Sequence, residues 1–335
     1  MLFYELSDLN NLPENINYPD IYFTPEYGKA CEYSDDAIWE LCQYKDLIYV
    51  YLKKEYIFED IQYFDLITPY GYSGYYFNND ETLEEFIPLF RVEAMKRNYL
   101  TEVIRQNPYI DVGNININSI LLEHYDIITT KTTFGINLKQ HVSFEQYLTN
   151  THRDNKRGYK LALKNGLICK FEQYNKLHLE KFILIYETTM NNLNSQTYYY
   201  FNSNYYQTLM ELGDRVFFAN VYNKEDILIA SCIIFRYNKR LHYHLGGSLF
   251  EYRNLRPNNY LHCNVIKYGI ENDFNLYHLG GGVKEHDTLY DFKNKIGDTK
   301  FAYTIYKTII NPEIYNEIKI TFDERDNDFF PIHRK

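Results

Sequence analysis

The side chains that can do chemistry fall in a few short stretches. The most basic of them, HRDNKRGYKLALKNG, carries His152, Arg153, Lys156, Arg157, Lys160 and Lys164. Read as a helix, its three- and four-residue spacing gathers Arg153, Lys156, Arg157, Lys160 and Lys164 toward one face. A charge run of this kind is ordinarily a solvated surface. As a working surface it would bind an anion. His242 and His244 alternate about Tyr243, which on a strand turns both imidazoles the same way. A metal site normally needs three or more ligands and no third is apparent. That leaves a base lining a cleft or a hydrogen-bonded core pair. Gly280-Gly281-Gly282 lets backbone approach a ligand closely, yet no Lys-Ser/Thr follows as in a phosphate loop. A sharp strand-to-helix turn uses the same residues.

Other candidates are single side chains. Arg253 and Arg256 precede Pro257-Asn258-Asn259, and Pro there is a common first residue of a helix. Asp287 precedes TLYDFKNKIG, where it caps a helix or orients Lys284 or Lys293. Taken alone, Lys293 is one helix lysine with a solvated head. In the first half, Arg105 and the turn tyrosines Tyr70 and Tyr72 offer a guanidinium fork and hydroxyls suited to sugar or phosphate. Lys29 is a further anion contact. No Asp or Glu stands out as an obligatory base, so proton transfer assisted by the substrate or by a water chain would serve.

These residues must be positioned by a folded chain. Its 335 residues predict two domains. With 45% hydrophobic and 24% charged residues, the composition excludes long disorder, collagen and coiled coil. No apolar run reaches the ~20 residues of a membrane-spanning helix. The first 30 residues lack the basic and apolar regions of a secretory leader, so a cytoplasmic protein without integral membrane association is expected. The net charge of −10 argues against a large nucleic-acid footprint. Five scattered cysteines without a CxxC pair fit buried thiols in a reducing compartment. The 37 Tyr and 22 Phe against one Trp reflect an AT-rich codon bias, and tyrosine spread this evenly marks no site.

AIWELCQYKDLIYVYLKKEY reads as an amphipathic helix passing into a β-rich run, and IFEDIQYFDLIT as a strand ending before the Pro69–Gly74 turn. ETLEEFIPLFRVEAMKRNY is a helix with acids first and bases last. YLTEVIRQNPYI returns as a strand, and SILLEHYDIITTKTTFGINL reads as a pair of strands. Near residue 143, Ser143 and Gln146 make a capping-box pattern. Then come helices, a hairpin over 215–250, and a strand, helix and strand from Phe274 to Ile310. The tail DERDNDFFPIHRK is too polar for core and its end is expected to be mobile.

Three segments then carry a family resemblance. In order, they are TPYGYSG, HRDNKRGYKLALKNGL and the run YHLGGSLFEYRNLRPNNYLHCNVIKYGI…YHLGGGVKEHDTLYDFKNKIG. Over roughly residues 20–330 the chain resembles the Fem-like (FemABX) transferases and the related BioF2-like acetyltransferase domain, both of the GNAT superfamily. The resemblance implies an α/β protein with mixed sheets and two tandem GNAT-like acyltransferase domains. Residues 1–142 would take the acceptor and 143–312 the donor, with a cleft between them. Residues 313–335, through IYNEIKITF, would return to complete the first sheet.

In a GNAT fold the donor lies between two central strands, and the following helix offers its first amides to pyrophosphate. Here that loop is Arg256-Pro257-Asn258-Asn259. It departs from the usual Gln/Arg-x-x-Gly-x-Gly/Ala pattern, since Asn258 and Asn259 replace small residues. The donor contacts implied are Arg253, Arg256, Asn258, Asn259, Gly280 and Gly281. Phe292-Lys293 resembles the Fem pair that contacts the activated donor. Lys293 is expected to act as a fixed positive charge beside an oxyanion or phosphate, with His244 as a cleft base. Substrate contacts are expected from Lys29, Tyr70, Tyr72, Arg105, Arg153 and Arg157.

The activity implied is transfer of an acyl or aminoacyl group to an amine, with no tightly bound cofactor and no metal. The donor is acyl-CoA or aminoacyl-tRNA. The acceptor is an amino group on a cell-envelope glycan or its nucleotide- or lipid-linked precursor. One alternative is an aminoacyl-tRNA-dependent enzyme extending a peptidoglycan precursor, favoured by the basic helix and opposed by the acidic net charge. Another is a non-catalytic glycan-precursor binding protein.

Overall fold

The computed structural model describes residues 1–7, 12, 16–110, 117–322 and 329–335. The chain forms two compact units: unit 1 is Met1–Thr130 with Tyr303–Lys335, and unit 2 is Lys131–Ala302. The divisions read from the sequence, after 142 and 312, fall later in each case. Each follows a strand, Asp126–Asn137 or Thr299–Ile309, whose residues are shared between the units.

Unit 1 runs β1 (Leu2–Glu5), α1 (Pro25–Asp35), β2 (Ile38–Tyr44), β3 (Leu47–Phe58), β4 (Ile61–Ile67), β5 (Gly74–Tyr76), α2 (Asp80–Lys96), β6 (Tyr99–Arg105) and α3 (Ile117–Leu122), followed by β7 (Asp126–Asn137). β1 to β4 pair antiparallel in chain order, and β4 pairs parallel with β6. The expected helix at AIWELCQY is strand β2. Its Trp39, Leu41 and Cys42 are buried, and a short continuous apolar run fits a buried strand as well as a helix. IFEDIQYFDLIT is not one strand: it turns at Glu59 and Asp60, both with positive φ, between β3 and β4. SILLEHY holds a helix, α3, and the residues after it form one long strand. α2 is continuous through Pro88 and is capped by the Asn79 side chain. It packs Leu83, Phe86, Ile87 and Phe90 onto Tyr49, Tyr51, Tyr75 and Tyr99 of the sheet.

Unit 2 continues through α4 (Phe144–Asn150), α5 (Arg153–Lys164), β8 (Ile168–Gln173), α6 (Lys176–Asn192), α7 (Ser203–Thr208), β9 (Val216–Tyr222), β10 (Leu228–Tyr237), β11 (Arg240–Ser248), α8 (Pro257–Glu271), β12 (Leu276–Gly281) and α9 (Thr288–Ile296). Ser143 Oγ accepts from the Gln146 amide, as the capping pattern predicts, while Gln146 Oε1 accepts from the Val142 amide, one residue before the cap. The hairpin region is three strands, because Asn238 and Lys239 make a second two-residue turn with positive φ. The sheet order is β7-β12-β11-β10-β9-β8, with β11 and β12 parallel and the other pairs antiparallel. Phe144, Tyr147, Ala162, Leu261, Val265, Ile266 and Ile296 build the core on one face. On the other, Phe182 of α6 meets Tyr206 and Phe218.

The chain then returns. In β13 (Thr299–Ile309), residues Ile305–Ile309 pair antiparallel with β6. IYNEIKITF does not add a strand. It belongs to α10 (Pro312–Ile320), where Asn311 caps and Pro312 starts a helix, and Ile318 packs on Tyr63 and Leu100. Residues 323–328 of the polar tail lie outside the described residues. The end of the tail is packed, contrary to expectation: Ile332 is buried, and His333 and Arg334 both bond Asp65 Oδ2, at 2.7 and 2.8 Å. Asp65 adds charge-assisted hydrogen bonds to the burial of Ile332 in holding this polar segment.

Candidate active site

The parallel pair in unit 2 is short. β11 and β12 match only at Arg240/Leu276, Leu241/Tyr277 and His242/His278. From Tyr243 onward β11 pairs with β10 alone. Both strands carry a bulge where their pairing ends. Ile233 matches Leu245 and Ile234 matches Tyr243, which leaves His244 as the extra residue of β11. His278 matches Gly135 and Gly280 matches Phe134, which leaves Leu279 as the extra residue of β12. A bulge bends its strand and raises the local twist, so two bulges at one level part the strands. After β11 the chain makes a 3₁₀ turn, Phe250–Leu255, and starts α8 at Pro257. The first amides of a helix have no intrahelical partner and carry the positive end of its dipole.

Unit 1 has a parallel pair too, but it stays closed. β4 and β6 match from Phe64/Tyr99 to Ile67/Val103. Beyond them Thr68 N donates to Val103 O, Arg105 N to Thr68 Oγ1 and Arg105 Nη1 to Thr68 O. Ser73 and Gln106 add a further parallel bridge.

Lys293 lies beside the parted strands. It is 6% exposed. Its Nζ donates to the Gly281 carbonyl at 2.8 Å and lies 5.4 Å from the centroid of the Tyr243 ring. Burial lowers its pKa to about 7, with Asp287 pulling the other way. It is therefore not the fixed charge expected from the sequence, because desolvation disfavours the ammonium form. Asp287 does cap α9: Oδ1 accepts from Tyr290 N and Oδ2 from Lys284 N, each at 2.7 Å. Gly281 has to be small, since a Cβ there would stand 2.8 Å from Thr132 O.

Sequence reasoning missed the side chains around Lys293. His262 of α8 bonds Tyr277 OH at 2.9 Å and lies 5.0 Å from the Tyr243 ring and 5.7 Å from Phe292. Burial, then Lys293, pushes the His262 pKa down to about 3. His278 bonds Thr133 Oγ1 at 3.1 Å and is lowered well below its ordinary value by burial, His242 and Lys293. These residues come from one helix and two strands, and no spacing pattern links them.

The other expected residues divide. His244 does not join Lys293: it is buried, bonds Tyr205 OH at 2.6 Å, stacks on Phe235 and is held well below its ordinary pKa by burial. Phe292 adjoins Lys293 and contacts His262. Arg253 and Arg256 are exposed at the start of α8, and Arg253 lies over the Phe250 ring. Asn258 Nδ2 donates to Ser248 Oγ and Asn259 Nδ2 to Asn155 Oδ1. The Asn259 side chain thus serves the contact of α8 with α5. Arg153 and Arg157 are exposed on α5, and Lys295 pairs with Asp154.

In unit 1, Tyr72 meets Tyr22, Tyr109 and Tyr303 edge-on, and Tyr27 OH donates to Tyr70 O at 2.6 Å. Arg105 lies on β6, and Lys29, partly buried, on α1. Among the described residues no group of three His, Cys, Asp or Glu is placed to hold a metal, and no helix is long and apolar enough to cross a membrane.

Comparison with known proteins agrees with this geometry. Residues 168–294, which hold the parted strands and Lys293, match the family described as Acetyltransferase (GNAT) domain. No curated protein matches the sequence. Among solved structures, FemX is similar over 95% of this chain and 100% of its own, at 15% identity and a TM-score of 0.69. L-PGS from Bacillus licheniformis is similar over 83% of this chain and 85% of its own, at 10% identity and 0.56. The C-terminal domain (DUF2156) of a putative lysylphosphatidylglycerol synthetase from Agrobacterium fabrum covers 94% of each chain, at 8% identity and 0.58. The chain therefore has a FemX-like mixed α/β fold, as its sequence features implied, and within it residues 168–294 are similar to a GNAT acetyltransferase domain.

Proposed function

We propose that this protein is an acyltransferase that moves an activated acyl group onto an amino group of a cell-envelope glycan or of its nucleotide- or lipid-linked precursor. The observation that carries this reading is the parting of β11 and β12 beside Lys293, inside the segment matched as a GNAT acetyltransferase domain. Parted strands expose backbone groups that a donor's amide chain can pair with. The first turn of α8, flanked by Arg253 and Arg256, takes its phosphates. The donor belongs to unit 2, since the parallel pair of unit 1 is sealed by Thr68 and Arg105. The acceptor is assigned to unit 1, to Lys29, Tyr70, Tyr72 and Arg105. A putative lysylphosphatidylglycerol synthetase among the structural neighbours is a reason to try envelope acceptors.

Acyl-CoA is the donor in this reading. One observation favours a second reading, with aminoacyl-tRNA as donor: α5 packs on α8 through Asn155 and Asn259 and leaves Arg153, Arg157, Lys160 and Lys164 exposed beside it. A row of cations next to the donor's phosphates suits a polynucleotide.

The test is transfer of a radiolabelled acyl group from acetyl-CoA, a longer acyl-CoA or charged tRNA to a panel of amino-sugar nucleotides and peptidoglycan precursors. Label recovered as an amide on an amino sugar supports the first reading. Label moved only from tRNA to a peptide stem supports the second. No transfer from any donor contradicts both.

A further inference from the structure

This inference rests on reading unit 2 as the donor-binding unit. At neutral pH an amine acceptor arrives as an ammonium ion, and it must lose a proton before its lone pair can attack a carbonyl. The carboxylates around the candidate site are engaged elsewhere. Asp287 accepts two backbone N–H groups, Glu285 accepts from Thr132 N, and Asp298 bonds Asn137 N and His141. The histidines are poor bases where they stand. His262 is tied to Tyr277, His278 to Thr133 and His244 to Tyr205, each in a buried setting.

Lys293 differs in geometry. Its Nζ sits at the end of β12, where pairing with β11 has already ceased. One N–H is used on Gly281 O. A neutral amine keeps a lone pair beyond that bond, whereas an ammonium has none.

We propose that Lys293 is the proton carrier of the transfer: its neutral Nζ takes the proton of the acceptor's ammonium and later gives it to the leaving group. The free amine attacks the donor carbonyl, a nitrogen–carbon bond forms, and the attached nitrogen releases its remaining extra proton to water. The bond from that carbon to the donor's sulfur, or to the ribose oxygen of a charged tRNA, breaks. The departing thiolate or alkoxide takes the proton held on Nζ, and Lys293 is neutral again. No oxidant or reductant enters. While protonated, Nζ also faces the developing oxyanion as a cation, so one side chain serves both steps.

The surroundings fit a group that must change charge easily. Facing Lys293 are Asp287 at the cap of its own helix, Tyr243 of β11, His262 of α8 and His278 of β12. Asp287 is the one carboxylate among them. Burial brings the lysine to about 7, the value at which a carrier accepts and releases a proton with equal ease near neutral pH.

Two measurements test this. First, the intact protein is treated with cyanate, a small amine probe that needs no donor, and carbamoylation of Lys293 is read by peptide mass spectrometry from pH 5 to 11. The expected midpoint is near pH 7, against about 10 for exposed lysines. A midpoint above pH 9, or no labelling at any pH, overturns the proposal whether or not a donor is found. Second, turnover is compared among wild type, Lys293→Arg, and Lys293→Ala with added methylamine. The expected result is an acid limb near pH 7 in wild type, a loss of roughly 10²–10⁴-fold in Lys293→Arg, unchanged donor affinity, and partial rescue of Lys293→Ala by the amine. Wild-type rates in Lys293→Arg with the acid limb intact overturn it. Failure of the wild type to bind any donor is a separate result, and it falls on the acyltransferase reading.

Discussion

Gly158 of α5 lies directly against Asn259 of α8: a Cβ at 158 would stand 2.7 Å from Asn259 Cγ. The contact is locked by Asn155, whose Oδ1 accepts from Asn259 Nδ2 at 3.1 Å while its Nδ2 donates to Tyr147 OH at 3.0 Å. The basic helix is thereby fixed beside the first turn of α8. Gly158→Ala is expected to destabilise the protein by up to about 2 kcal/mol. The overpacking cost of roughly 1–3 kcal/mol exceeds the ~1 kcal/mol that alanine gains in a helix interior. Urea denaturation measures it. A stabilised variant would show that the helices are free to separate.

The C-terminal residues hold unit 1 through one carboxylate. Burial alone would raise the Asp65 carboxyl, but hydrogen bonds and charge from His333, Thr101 and Arg334 bring it below its ordinary value. A carboxyl with a lowered folded pKa stabilises the fold above its unfolded value of about 3.9, and that contribution is lost as pH falls through the lowered value. Asp65→Asn is therefore expected to cost about 2–4 kcal/mol at pH 7. The gap from wild type should narrow below pH 4. Thermal melts at pH 3, 5 and 7 measure it, and a gap independent of pH would contradict the assignment.

Glu102 carries the opposite sign. It is fully buried on β6, accepting from Tyr125 OH at 2.8 Å and Tyr75 OH at 3.4 Å. Burial raises its pKa, and these hydroxyls and Arg91 offset only part of the shift. Between the unfolded value, about 4.3, and the raised folded value, the folded chain holds a proton that the unfolded chain has released. Stability therefore falls as pH rises through that window. Relative to wild type, Glu102→Gln is expected to gain stability as pH rises from about 4.3 through the raised folded value. A loss that grows over the same range would contradict this.

Lys293 also weighs on stability. Its folded pKa of about 7 lies below the unfolded value of about 10.4. The unfolded chain thus binds the extra proton between those values, and stability rises with pH across that window. Below pH 7 the full cost of burying the amine is present. Lys293→Met is expected to raise the melting temperature most at pH 6, by the equivalent of roughly 1–4 kcal/mol, and the difference should fade toward pH 10. An equal gain at every pH would mean that the buried amine is not what is being relieved.

The sequence disclosed the helices better than the hairpins. α2, α5 and α9 are legible from end charges, from the spacing of basic residues and from Asp287, which does cap α9. The turns at Lys45, Glu59-Asp60 and Asn238-Lys239 contain no glycine or proline, yet each holds residues at positive φ. Turn chemistry that depends on a backbone angle leaves a weak mark in composition. β2 reads as a helix in the sequence because a short buried apolar run fits either element. In the candidate site, Phe292, Lys293, Arg256 and Gly281 are expected from their positions within a family pattern. Burial changed the meaning of Lys293, and burial depends on Tyr243 and His262, which the fold brings in from elsewhere in the sequence. Strand alternation leaves His244 as either a cleft base or a hydrogen-bonded core residue, and the structure puts it at a bulge, bonded to Tyr205.

The central claim is that unit 2 binds an activated acyl donor at the parted strands. Isothermal calorimetry of the purified protein with acetyl-CoA, longer acyl-CoAs, charged tRNA and uncharged tRNA, at two salt concentrations, tests it most directly. The account predicts saturable binding of an acyl-CoA at one site per chain, because the parallel pair of unit 1 is closed by Thr68 and Arg105. It also predicts affinity reduced at least tenfold by Arg256→Ala. Binding of charged tRNA alone, weakening steeply with salt, would move the donor to the second reading. Binding of none of these ligands would contradict the account.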